Sequence, residues 1–472
     1  MDRFLKILIW AYVVLLLVEG ALRKWIFPGI AEPLLIVRDP VVVGIYILAL
    51  VRGSLPLNGF VISILGLAVA SVISSLLGGM SNALVIAYGV RINYFHLPLI
   101  WVMGTVLTRR DVELLGAFIL LSAIPMTFLM VEQFSSPMDA WINKGVGADE
   151  GGQIFGADGR IRPPGTFAFI TGPQLYFPFC AAFFFDQVAG HGRLKWPLLV
   201  GAGIAILVAL PVSISRTVML ATGIVGAVFV ITLPFAGGKG IKMLKPLLLL
   251  GIVAAVVTQL PIFKQGSMVF GMRWETAATA TEGDGWADVV DRTISTITNP
   301  LYYAMEAPLF GRGIGVGSNV GARLLSGQVG FLLAEEEYGK IYMELGAIVG
   351  TGFIFLRLFL AGYLALRSIR ALFENKDALP LLLFSATCVP LVNGQWAPPT
   401  VLGFTVVGSG LLLGALNSVK SLKPAPELAP IITFAPAMNP ALPVASALRL
   451  PIIPKTVSKQ RGTSVHEDRY HR

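Results

Sequence analysis

Residues 58–78 read NGFVISILGLAVASVISSLLG, a stretch without one charged side chain. A helix rises ~1.5 Å per residue and the hydrocarbon core of a bilayer is ~30 Å thick, so a helix here is long enough to cross it. A helix also satisfies its own backbone polar groups where no water reaches them. Working outward, the same reading applies on both sides. Candidate spans fall at about 4–20, 34–51, 58–78, 83–103, 112–133, 166–186, 196–213, 217–234, 246–260, 341–366, 379–396 and 399–417. The expected fold class is all-α: a polytopic integral membrane protein with about twelve transmembrane helices.

Composition supports this reading. Of 472 residues, 55% are apolar and 13% charged, and the mean hydropathy is +0.76. A soluble domain carries roughly 25% charge. These values exclude a soluble globular protein, a disordered chain and a nucleic-acid binder. The net charge of +9 is the excess that basic cytoplasmic loops bring to a membrane protein. Cys180 and Cys388 lie in apolar runs and the four histidines are scattered, so neither a disulfide framework nor a metal centre is expected, and no cofactor is implied.

Orientation follows from the short loops. With the N-terminus in the cytoplasm, the cytoplasmic connections hold Arg52, Arg109 and Arg110, Arg193 and Lys195, Lys239, Lys242 and Lys245, and Arg367, Arg370 and Lys376. The opposite short loops near Ser81 and Pro398 are uncharged, while Arg23 and Lys24 fall on the side that the rule disfavours. The first span lacks a small-residue cleavage site after it and reads as a retained helix. Both termini are then cytoplasmic. Within a transmembrane domain of residues 1–419, two long segments are periplasmic: 134–165, and 261–340, which is large enough for short helices. Residues 420–472 carry eight prolines and eight Lys/Arg, a composition that cannot build a core and that reads as a basic tail near anionic lipid.

Charges inside a bilayer are expensive and tend to be functional. Arg38 and Asp39 stand near the outer end of the second span, adjacent in sequence, and need partners elsewhere. Arg91 and His96 lie in the fourth span, roughly 140° apart on a regular helix, so they are not expected to share a face. Arg91 is a candidate substrate contact or half of a buried pair, and His96 a satisfied core histidine. Between the seventh and eighth spans, Ser213-Ile214-Ser215-Arg216-Thr217 places an arginine at the outer surface. There it can grip a diphosphate through its fork of donors or extend to the lipid headgroups.

The outer segments hold the densest chemistry. Gly159-Arg160-Ile161-Arg162-Pro163-Pro164-Gly165 puts two arginines beside a rigid turn. In Gly311-Arg312-Gly313-Ile314-Gly315-Val316-Gly317, glycine at alternate positions permits close backbone approach to a ligand, or positive φ. The context is neither a dinucleotide fingerprint nor a P-loop. Glu335, Glu336 and Glu337 follow where the chain re-enters the membrane. They either complement the helix dipole or supply a general base.

In their order and spacing these stretches resemble the O-antigen polymerase and O-antigen ligase family, bacterial polytopic membrane glycosyltransferases. Ile214-Ser215-Arg216-Thr217 is similar to the family's Ser-Arg motif. Pro308-Leu309-Phe310-Gly311-Arg312-Gly313-Ile314-Gly315 is similar to its Pro-Leu-x-Gly-x-Gly-x-Gly segment, and Glu344-Leu345-Gly346-Ala347-Ile348-Val349-Gly350 to its Glu-x-Gly-x-x-Gly. Arg162-Pro163-Pro164-Gly165-Thr166-Phe167 matches a weaker signature. The resemblance spans about residues 80–420. One departure stands out: where the family commonly has a His-Asn pair nine residues before the glutamate, this chain has Glu335 and Glu336.

The resemblance implies transfer of a glycan from undecaprenyl diphosphate to an acceptor sugar at the periplasmic face of the bacterial inner membrane. The acceptor is either another lipid-linked repeat, for a polymerase, or a lipid core, for a ligase. Implied partners are the lipid-linked oligosaccharide, membrane lipids and polysaccharide assembly or export proteins. In the implied metal-independent, inverting reaction, Glu335 or Glu336 deprotonates the acceptor hydroxyl, and Arg216 and Arg292 neutralise the departing diphosphate. Tyr302, Tyr303 and Trp286 are available to stack on sugar rings, with Arg91, Arg160, Arg162 and Arg312 as further substrate contacts. Two other readings stay open: a transporter or flippase of lipid-linked glycan, and a non-catalytic subunit of an export complex.

Overall fold

The computed structural model of the chain describes residues 2–146, 153–191, 194–235, 244–280, 302–327, 330, 333 and 336–420. In chain order the helices are α1 (Asp2–Ala21), α2 (Asp39–Val51), α3 (Gly59–Leu77), α4 (Ala83–Val90), α5 (Leu99–Val106), α6 (Arg109–Ser135), α7 (Thr171–Asp186) and α8 (Trp196–Val212). They continue with α9 (Arg216–Thr232), α10 (Leu244–Val257), α11 (Pro261–Ala280), α12 (Asn319–Ser326), α13 (Glu337–Asn375), α14 (Leu379–Asn393) and α15 (Pro399–Lys420). The tail beyond residue 420, together with Glu335, Arg292 and Trp286, lies outside the described residues.

Each of the twelve expected stretches carries a helix. Among the described residues, eight helices are long and apolar enough to cross a membrane, and the count reaches nine if the bent pair Gly251–Val257 and Pro261–Glu275 is one span. The other stretches are shortened for local reasons. Pro163, Pro164 and Gly165 hold the chain irregular, so that α7 begins only at Thr171. Ser213 and Ile214 end α8. At Pro261 the chain turns by 80° and runs on as α11, so the expected outer segment 261–340 starts with a helix. The class is thus all-α with about eight to nine candidate spans.

Helix starts follow the capping chemistry written in the sequence. Asn58 accepts from the Val61 amide at 3.0 Å and Asn82 from the Leu84 amide at 3.1 Å. Thr108 and Asp111 form a reciprocal capping box at the head of α6.

The bundle is apolar on its outer faces as well as in its core. On α3, Ile62, Leu65, Val69, Ile73 and Leu76 are exposed at helical spacing, a surface for lipid tails. Its buried side carries Ser71, Ser74 and Ser75. These serine hydroxyls pack beside Val61 and Ile64, the use of small polar residues between helices that a lipid surround favours.

Candidate functional site

The short turn between α8 and α9 is built for position. Ile214 takes φ +46°, rare for a β-branched residue, with its side chain fully buried. A Cβ on Gly156 would lie 2.9 Å from the Ile214 Cδ1, so the turn seats on the small hairpin of residues 154–162. That hairpin is closed by Gly156 N–H to Arg160 O (2.8 Å) and Arg162 N–H to Ile154 O (2.9 Å). Ser215 caps α9 and accepts from Gln174 Nε2 at 3.2 Å.

Three arginines converge there. Arg216 is the first residue of α9 and its guanidinium stands 5.7 Å from the centre of the Trp274 ring on α11. Arg162, at the end of the hairpin, is held below the ordinary arginine pKa by burial first, then by the charges of Arg273 and Arg216. Its Nε is buried without a hydrogen-bond partner. A hairpin, a helix N-terminus and α11 thus gather cationic forks at one rim, an arrangement that suits a multiply charged anion. Arg273 was missed in the sequence because the covering segment reads as a loop, where helical phase gives no register.

Arg160 does not join this group. It donates to the Phe134 carbonyl at 2.5 Å and lies over the Phe134 ring at 4.3 Å, tying the hairpin to the end of α6. The Pro-Pro-Gly turn beyond it is a wedge into the bundle. Gly165 exchanges hydrogen bonds with Gln133 and accepts from Lys24 Nζ at 2.7 Å, and Thr166 donates to Leu17 O at 2.5 Å. Arg23 donates to the Ala31 carbonyl and faces Glu19 at 3.6 Å. The two basic residues that break the loop-charge rule are therefore both engaged within the bundle.

The glycine-rich segment approaches the protein's own helices. Gly346, at φ +80°, breaks α13, and residues 308–318 lie across the break. Arg312 N–H reaches Met343 O (2.8 Å), Gly313 N–H reaches Glu344 O (3.2 Å), and Ala347 N–H reaches Pro308 O (2.9 Å). From the other side Ser74 and Ser75 accept from the Gly311 and Ile314 amides. The carboxylate of Glu344 takes the Gly317 amide at 2.7 Å. A Cβ on Gly78, Gly89 or Gly311 would collide with backbone here. Of the two roles open to the alternating glycines, Gly313 and Gly315 take positive φ (+121° and +93°) within an internal brace, while Arg312, like Leu309 and Phe310, is exposed.

Below the brace, α13 opens with Glu336 and Glu337. Glu337 is buried and paired with Arg357 (2.8 Å) and Lys340 (2.6 Å). Arg357 also donates to the carbonyls of Leu391 (2.9 Å) and Gly394 (2.7 Å), and stands over Trp396 at 4.0 Å. It closes the C-terminal end of α14 with its full fork. An arginine inside the span of residues 341–366 was the available signal for it. Glu336 is half-buried and accepts from the Tyr303 hydroxyl at 2.8 Å. That bond, followed by burial, raises the Tyr303 pKa. Tyr302 packs edge-on against Tyr303 at 5.8 Å and is exposed.

Arg91 belongs to a third assembly. Residues Arg91–Phe95 form a π-helical turn between α4 and α5. In that geometry positions five apart stack, and the expected separation of Arg91 from His96 is lost. Arg91 meets Asp39 at 2.5 and 3.0 Å, and His96 Nε2 meets the same carboxylate at 3.1 Å. Tyr12 lies 2.9 Å from His96 Nδ1 and accepts from Arg38, which also faces Glu19 at 3.2 Å. This is the buried-pair alternative for Arg91.

Among the described residues no cluster of three or more His, Cys, Asp or Glu could hold a metal ion. Comparison with models of known families, with curated proteins and with solved structures finds no match for this chain. The fold therefore defines its class, a polytopic helical membrane protein, and its function must be argued from the site.

Proposed function

We propose that the chain is a glycosyltransferase of the bacterial inner membrane that moves a glycan from undecaprenyl diphosphate to an acceptor sugar at the periplasmic face. Polymerisation of exopolysaccharide or O-antigen repeat units is the first choice, and ligation to a lipid core the second. In this reading the chain crosses the membrane twelve times with both termini inside, the shortened helices each counting as a span and α11 opening the outer segment after the ninth.

The observation that carries the reading is the rim of Arg162, Arg216 and Arg273 beside Trp274. A diphosphate is the anion whose charge and oxygens match several guanidinium forks. The acceptor hydroxyl loses its proton to Glu336, which Tyr303 holds by one hydrogen bond, or to Glu335. The resulting oxygen attacks the anomeric carbon as the bond from that carbon to the diphosphate oxygen breaks. The lipid diphosphate leaves with the electron pair, and Arg216, with Arg292 as its expected helper, stabilises the negative charge. One displacement inverts the anomeric centre.

The test is chain elongation by purified protein supplied with a lipid-linked repeat unit. Arg216→Ala and the Glu335→Gln/Glu336→Gln double variant are expected to lose at least ~100-fold in rate, the scale of removing a charge stabiliser or a general base. Wild-type rates in both would remove the mechanism.

A further inference from the structure

Where α1 runs out onto the Pro-Pro-Gly turn, an ammonium is buried without a counterion. Lys24 lies in the π-helical turn Leu22–Ile26 and is 2% exposed. Its Nζ donates to the Gly165 carbonyl at 2.7 Å and stands 4.3 Å from the centre of the Trp25 ring. Among the described residues no carboxylate pairs with it, whereas its neighbour Arg23 faces Glu19. A buried ammonium calls for an anion, and one carbonyl with one ring face supplies only part of what water gave it.

Three further polar atoms about the same turn are buried without a hydrogen-bond partner: Trp25 Nε1, Asn143 Oδ1 and Gln153 Oε1. Turning the amides over does not cure this. Asn143 Nδ2 donates to Gln133 O at 3.1 Å and to Pro137 O at 2.7 Å, and Gln153 Nε2 donates to Lys144 O at 3.2 Å and to Ala168 O at 3.3 Å. Each nitrogen has its acceptors, and each oxygen is left without a donor. Asn143 is 1% and Gln153 6% exposed. Gln133 ties the group to Lys24: its side chain donates to the same Gly165 carbonyl, and its own carbonyl accepts from Asn143. Two indoles lead in from outside. Trp141, 61% exposed, stands 5.8 Å from Trp25, and Trp25 stands against Lys24.

We infer that this corner is a binding subsite for an acidic sugar, a hexuronate or a similarly carboxylated ring. The unfilled groups set that complement. The Lys24 ammonium and the Trp25 indole N–H are donors for a carboxylate, and the Asn143 and Gln153 oxygens are acceptors for ring hydroxyls. Trp141 offers an exposed ring face for the C–H side of the sugar. Water satisfies the amides and the indole but brings no charge to Lys24. A bare phosphate brings the charge but, fully ionised, has no proton to give the amide oxygens. None of these residues belongs to the arginine rim. The inference goes beyond the transferase reading, because holding the sugar requires no transfer.

The experiment compares methyl glucuronide with methyl glucoside, which differ in the carboxylate alone, by saturation-transfer NMR titration of the full-length protein in nanodiscs. Wild type is expected to bind the glucuronide about tenfold more tightly. Lys24→Met should erase that preference. Trp141→Ala, a change at an exposed side chain that leaves the core intact, should weaken both sugars alike. As a check that needs no variant, a glucuronide carrying a diazirine should label wild type at Trp25 or at residues 141–144. Equal affinity for the two sugars, a preference that survives Lys24→Met, or labels confined to other segments would overturn the inference. So would displacement of the glucuronide by phosphatidylglycerol added to the nanodiscs, which would give the corner to a lipid headgroup. Retention of the glucuronide by a protein that forms no glycosidic bond leaves the subsite standing while the transferase reading falls. Transfer without any glucuronide preference does the reverse.

Discussion

Arg91 and His96, five positions apart in sequence, grip the same carboxylate of Asp39, at 2.5 Å from Arg91 Nε and 3.1 Å from His96 Nε2. The π-helical turn that brings them together converts two separate intramembrane polar residues into one site on α2. Asp39 is the only anion that both side chains share among the described contacts, so its loss is felt twice.

Asp39→Ala should lower stability by about 3 kcal/mol, because it leaves the Arg91 guanidinium without its carboxylate in a mostly buried place. The Asp39→Leu/Arg91→Leu double variant should recover most of that loss. Thermal denaturation in detergent, followed by size-exclusion chromatography, measures both. Equal losses in the single and double variants would contradict the pairing.

The brace at Gly346 predicts a sharp contrast between two glycines of the same region. Gly78→Ala puts a methyl group into the Gly311 carbonyl and should sharply reduce the yield of folded protein. Gly66→Ala, where a Cβ meets nothing within 4 Å, should be neutral or slightly stabilising. Folded yields of the two variants, compared at one expression level, test whether the glycines serve internal packing.

Arg357→Met removes one of the two cationic partners of Glu337, leaving Lys340, and frees the carbonyls at the end of α14. It should cost about 3–5 kcal/mol. Arg357→Lys should restore only part of this, since an ammonium keeps the charge but not the planar fork. The order of melting temperatures, wild type above Lys above Met, is the measurement. A lysine variant equal to wild type would show that charge alone suffices.

Tyr303 donates to Glu336, which raises its pKa, so the protonated phenol is favoured in the folded state. The contribution is present at neutral pH and is lost as pH climbs through the raised value. The phenolate signal that disappears in Tyr303→Phe should therefore have its midpoint above the ordinary value of about 10, and Glu336→Gln should move it down toward that value. An unmoved midpoint would separate the two residues.

The apolar stretches were legible because their length and lack of charge are one-dimensional properties. Residues 58–78 need no tertiary information to read as a helix. The π turn was not legible: nothing in Arg91–His96 marks a change of helical repeat, and the partner that favours it lies at Asp39. The alternating glycines of residues 311–317 were visible, but whether their open backbone meets a ligand or a helix depends on where α3 and α13 pack. Arg162 and Arg216 could be singled out from flanking motifs. Arg273 could not, because its position depends on the bend at Pro261 that carries α11 back over the α8–α9 turn.

In the proposed reaction, guanidinium groups from three separate segments hold the diphosphate of a lipid-linked glycan. A density map of the full-length protein with such a lipid bound tests it most directly. Phosphate oxygens are expected within hydrogen-bond reach of Arg216 and of the Arg162 Nε that lacks a partner, with Arg273 beside them. A headgroup bound at the Asp39–Arg91 assembly, or anywhere away from these arginines, would contradict it.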